Sequence, residues 1–161
     1  MFDGYIQRYG GRLYALCRKL CANEWEAQDL YQDTWFKAYR GFAKYDDRRN
    51  FEAWLTSICV NTYRDALRRK RLAALLGLAP GPDPQPMLER LPAPPREEAD
   101  LLETVNALPT PYRLTVLLYY YCDRSVTQTA QILGIPPGTV KSRLSKARTL
   151  LRERLVTDDG D

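Results

Sequence analysis

Thr139, Lys141, Ser142, Arg143 and Lys146 stand close together near the end of the chain, polar and cationic with no acid among them. On a helix, such groups hydrogen-bond the base edges and phosphates of duplex DNA. A second set, Asn61, Arg64 and Arg68, has the spacing of one helical face. There the arginines would neutralise phosphates, and Asn61 would bond a base edge or the backbone. Phe51, Trp54 and Tyr63 lie nearby as rings that either stack on unpaired bases or fill a core. Catalysis has little to work with. The chain contains no histidine, no glycine-rich phosphate loop and no metal-ligand cluster, so no enzyme activity, metal, cofactor or small-molecule substrate is expected. The carboxylate pairs Asp29/Asp33 and Asp46/Asp47 read as solvated or capping groups. Cys17, Cys21, Cys59 and Cys122 read as buried reduced thiols, with a thiol sensor or half a metal site at Cys17/Cys21 as the alternatives.

The elements that must position these groups read as helices. Ser125 caps one helix, and Gln128 completes a capping box. Gly134 suits the left-handed residue that ends it, and Pro137 fits the first turn of the next. Ala130, Ile132, Leu133, Val140 and Leu144 form an apolar seam between the two. The pattern predicts a helix-turn-helix whose second helix presents its polar face to a major groove; the plainer alternative is a helical hairpin with a solvated basic face. Two helices precede it, about 96–107 and 111–122.

The N-terminal stretch predicts three helices. The first, about 3–22, is interrupted at Gly10-Gly11, which bends it. The second is capped by Asn23 with Glu26 closing the box, turning Ala27, Leu30, Tyr31, Thr34, Trp35, Ala38 and Phe42 inward. Asp29, Gln32, Asp33, Phe36 and Arg40 fall on its other side. After a loop at 45–50, the third, about 51–71, turns Trp54, Leu55, Ile58 and Thr62 inward. Prolines at 80, 82, 84, 86, 92, 94 and 95 exclude helix and central strand between the two parts. The expected architecture is all-α: two small helical domains, 1–72 and 97–155, joined by a proline-rich linker at 73–96 and followed by an acidic tail at 156–161.

The 161 residues carry a net charge of +4, concentrated in two basic clusters, Arg64 to Arg71 and Lys141 to Arg154. Two separated patches suggest two contacts with a polyanion, or two solvated helix ends. No run is apolar enough to span a membrane and no secretory signal is visible, which points to the cytoplasm.

Three segments together resemble a known family. Residues 29–40 are similar to the polymerase-binding helix of bacterial sigma factors. Phe51 to Asn61 with the Arg/Lys run after it resembles their −10 element helix. Leu108 to Arg113, Ile135 to Leu144 and Ala147-Arg148 resemble their −35-binding domain. Order, spacing and linker match the two-domain extracytoplasmic-function (ECF) class. The resemblance implies a protein that binds core RNA polymerase and directs promoter recognition, DNA melting and initiation. It places Asp29, Gln32, Asp33 and Phe36 at core polymerase. It makes Tyr45, Asp46, Asp47, Arg48, Arg49 and Asn50 a pocket for a flipped, single-stranded −10 base, with Asn61, Arg64 and Arg68 on that strand or the upstream duplex. Thr139, Lys141, Ser142, Arg143 and Lys146 would read or clamp the −35 duplex, with Arg143 at a base and Lys141 and Lys146 at phosphates. An anti-sigma factor is a further implied partner, holding the protein at the membrane. Thr127, Gln128 and Gln131 depart from the acidic residues common there, and Tyr119-Tyr120-Tyr121 is unusual, read as core packing or an anti-sigma contact. The alternatives are a stand-alone helix-turn-helix regulator binding duplex DNA without polymerase, and a partner-binding bundle.

Overall fold

A computed structural model describes residues 2–78 and 103–159. The chain divides into two compact units, Met1–Glu89 and Arg90–Asp161. Both are helical, and no strand occurs among the described residues.

The first unit packs three helices, α1 (Phe2–Leu20), α2 (Glu24–Gly41) and α3 (Phe51–Leu75), each against the other two. α1 runs unbroken through Gly10-Gly11, where an interruption was expected. Gly10 packs closely on α2, where a Cβ would meet the Tyr31 hydroxyl at 3.0 Å. Asn23 caps α2, its side chain accepting from the Glu26 N–H at 2.8 Å. The Glu26 carboxylate, expected to close a capping box, instead bonds Lys70 on α3. Ala27, Leu30, Thr34, Trp35 and Ala38 are buried, and Tyr31 and Phe42 half-buried, as the period predicts.

α3 differs from expectation in two ways. Its buried face is Phe51, Leu55, Thr56, Cys59, Val60, Thr62 and Tyr63, so Trp54 and Ile58 sit at the rim. Thr34, Thr56 and Thr62 are tolerated inside because each hydroxyl donates to the carbonyl four residues back, at 2.6–2.7 Å. The helix also continues past residue 71 to Leu75. It ends where Gly77 takes φ +72 and the Leu78 N–H reaches the Ala73 carbonyl at 2.8 Å, a glycine-terminated helix end. The proline-dense part of the expected linker lies outside the described residues.

In the second unit, α4 (Thr110–Val116) continues as a π-helical turn at Leu117–Tyr121, closed by Cys122 N–H donating to the Leu117 carbonyl. Asp123 follows in the left-handed region at φ 54. α5 (Val126–Leu133) and α6 (Pro137–Asp159) complete the unit, α4 and α5 both packing on α6. Val105 and Leu108, before α4, are also buried; the start of the helix expected at 96 lies outside the described residues. α6 carries helical backbone to 159, beyond the expected end of the domain at 155.

Candidate nucleic-acid interfaces

The loop at 45–50 is held by aromatic packing below it. Phe51 is a hub, with Tyr5 stacked at 4.1 Å between centroids, and Tyr45 and Trp54 each at 5.5 Å. Tyr45 itself lies over Trp54 at 4.8 Å, and its hydroxyl donates to the Arg49 carbonyl across the loop. Partial burial raises the Tyr45 phenol above its usual range, with neighbouring phenols and carboxylates adding to the effect. It therefore remains a donor at neutral pH. Asp46 accepts from the Arg48 N–H at 3.0 Å and from its guanidinium at 3.2 Å. Those two bonds hold its carboxyl below the usual value. Asn50 is committed to α3, its side chain accepting from the Ala53 N–H at 3.2 Å. Asp47, Arg48 and Arg49 remain exposed. The loop is thus pre-shaped, with an aromatic floor and a charged rim.

Behind it, Asn61 is exposed and Arg64 half-buried on one face of α3. Arg64 donates to the Asn61 side-chain carbonyl at 3.5 Å, and Arg68 pairs with Asp65 at 3.3 Å. Beside them is an open groove of about 280 Å³ lined by Lys37, Trp54, Ser57, Ile58, Asn61, Thr62 and Asp65. Of the rings proposed to stack on bases, Phe51 and Tyr63 are buried and only half-buried Trp54 reaches the surface. On α2, Asp29, Gln32, Asp33 and Phe36 are all exposed. Sequence reading passed over Trp25 and Tyr39, which leave 64% and 67% of their surface in solvent on that helix. Their positions outside the apolar stripe were the available signal.

In the second unit the turn chemistry is as expected. Ser125 Oγ accepts from the Gln128 N–H at 3.0 Å, and Gln128 Oε1 from the Ser125 N–H at 2.9 Å. Gly134 takes φ +68, and the Ile135 N–H closes onto the Ala130 carbonyl. Ala130, Val140 and Leu144 form the seam, with Tyr119, Val126 and Ile135 packed against it. Lys141, Ser142 and Lys146 are exposed, while Thr139 and Arg143 are half-buried. The Ser142 hydroxyl donates back to the Gly138 carbonyl at 3.0 Å. The tyrosine run splits: Tyr119 packs on the seam, but Tyr120 and Tyr121 are exposed, so core packing explains only the first. Arg148 Nε donates to the Tyr120 hydroxyl at 2.7 Å, its guanidinium over the ring. Thr127, Gln128 and Gln131 are exposed on α5.

The thiols also split. Cys17 and Cys59 are buried with Sγ atoms 3.8 Å apart, while Cys21 and Cys122 are only partly covered. Among the described residues no helix is long and apolar enough to cross a membrane.

Comparison with known proteins agrees with this layout. Residues 5–73 match Sigma-70 region 2, and residues 98–151 match Sigma-70, region 4. The chain is 30% identical over 165 residues to the ECF RNA polymerase sigma factor SigW of Bacillus subtilis, covering 96% of this chain and 88% of that protein. Its fold matches the sigma factor RpoE of Bartonella quintana, solved with the anti-sigma factor NepR, at TM-score 0.79 and 26% identity over 98% of both chains. It also matches CnrH, solved with the cytosolic domain of CnrY, at TM-score 0.70 and 27% identity, covering 98% of this chain and 88% of that one. The chain belongs to the ECF RNA polymerase sigma factors, the non-enzymatic initiation factors that direct promoter recognition.

Proposed function

We propose a division of labour in which the first unit, about 1–72, meets core polymerase and the melted −10 strand, and the second, about 97–155, reads the −35 duplex. The observation that carries it is the chemical difference between the two DNA-facing surfaces. One has a pre-shaped loop with an exposed charged rim over stacked rings. The other is a capped helix-turn-helix with cations on its second helix.

Opening duplex DNA costs stacking energy of a few kcal/mol per step, which a pocket fitting only an unpaired base offsets. Tyr45, Asp46, Asp47, Arg48, Arg49 and Asn50 form that pocket, with Asn50 acting as a cap beneath it. Asn61, Arg64 and Arg68 follow the strand into the upstream duplex. Asp65 competes for Arg68, so phosphate contact there requires exchange of one ion pair for another. Thr139, Lys141, Ser142, Arg143 and Lys146 enter the −35 major groove. Asp29, Gln32, Asp33 and Phe36 face core polymerase, and Trp25 and Tyr39 widen that surface with rings of the kind that anchor protein interfaces. The protein acts in the cytoplasm. RpoE and CnrH were each solved with a partner, NepR and CnrY, and exposed Tyr120 and Tyr121 fit an anti-sigma contact on this chain too.

Run-off transcription from a genomic-fragment pool, using core polymerase from the source bacterium with and without this protein, tests the reading. New starts sharing two spaced upstream motifs are expected. Tight, specific binding to duplex DNA with no new starts would favour a stand-alone regulator instead.

A further inference from the structure

Cys17 on α1 and Cys59 on α3 meet inside the first unit, Sγ to Sγ 3.8 Å, although 42 positions separate them in sequence. Both are fully buried. The interior there is otherwise Leu, Ala, Val, aromatic rings and three threonines whose hydroxyls are bonded to their own helices. An S–S bond is about 2.05 Å long, so closure asks each sulfur to move by only ~1 Å. We propose that Cys17 and Cys59 are a redox pair that a peroxide converts into a disulfide tying α1 to α3. One thiol attacks the peroxide oxygen, breaking the O–O bond to give a sulfenic acid and water. The second sulfur then attacks the sulfenic sulfur, the S–S bond forms, and a second water leaves. Two hydrogens are lost from the protein, and one peroxide is reduced to two waters.

The pair is shielded by the packing of the bundle. The hydrogen bond to Cys59, then burial, pushes the Cys17 thiol far above its usual range, so little thiolate exists at neutral pH. Oxidation therefore waits on local opening of α1, which makes the pair slow and high in threshold compared with a surface thiol. Cys59 stands two residues before Asn61 on α3, so the bond would form beneath the helix that carries Asn61, Arg64 and Arg68.

Peptide mapping of the intact chain decides the matter. The reduced protein is treated with hydrogen peroxide, alkylated in denaturant and digested with trypsin, which places all four cysteines on separate peptides. The expected product joins Leu13–Arg18 to Asn50–Arg64, lighter by two hydrogens than the reduced pair and released by a reductant. Recovery of Cys17 and Cys59 both alkylated after Cys21 has been oxidised would overturn the proposal. So would a predominant link through Cys122 between two copies. Cys21→Ser should leave the 17–59 link at an unchanged yield; its loss in that variant would assign the chemistry to Cys21.

Discussion

Arg143 shows how far a side chain can be read from its type. Residue type and spacing place it on the outer face of α6, and it is half-buried there. A guanidinium presents its N–H groups as a planar fork that matches a base edge bidentately. Arg143→Ala is expected to weaken binding selectively at one −35 position, by roughly 1–3 kcal/mol. Equilibrium binding to a set of single-position promoter variants measures this, and a uniform loss over all sequences would make it a phosphate contact. Asn50 makes the opposite point. By type it belongs among the base-contacting residues, yet its amide oxygen is spent on the first turn of α3. Arg48 and Arg68 are likewise engaged by Asp46 and Asp65. Sequence names the candidates for a contact, while geometry shows which already have partners.

At the level of elements, identical substitutions at two glycines should have opposite signs. Gly134 ends α5 at φ +68, a conformation that costs an L-residue about 1–2 kcal/mol. Gly134→Ala should destabilise the second unit by about that amount. Gly11 sits in α1, and the space a methyl group would occupy there has nothing within 4 Å. There Gly11→Ala should stabilise the first unit by roughly 0.5–1 kcal/mol through helix propensity alone. Urea unfolding of each variant, followed by far-UV circular dichroism, checks both. The caps at Ser125 and Gly134 were legible because each is a local pattern of four to six residues with one geometric solution. The end of α3 was not legible from the prolines that begin at Pro80. Its signal was Gly77 behind an unbroken run of helix formers, and the left-handed Gly77 is what stops the helix.

For the whole molecule, the decisive property is that two compact units sit on one chain. Linking two binding modules turns the second contact into an intramolecular event and raises overall affinity by about 10²–10⁴ without any new contact. With core polymerase present, the intact chain should therefore support run-off transcription at concentrations where an equimolar mixture of the two separated units does not. Equal activity of the mixture would mean that polymerase alone brings the units together.

The sequence by itself determined the all-helical class, the two-part division, the helix-turn-helix and the family, because caps, helical periods and motif order are local and additive along the chain. Only the tertiary structure decided that Gly10 makes room for Tyr31, that Glu26 leaves its own cap for Lys70, that Trp54 rather than Tyr63 reaches the surface, and that Cys17 meets Cys59. Each of these joins groups from different helices. The rotation of one helix against another is set by how all their side chains pack together, and no single stretch of sequence encodes it.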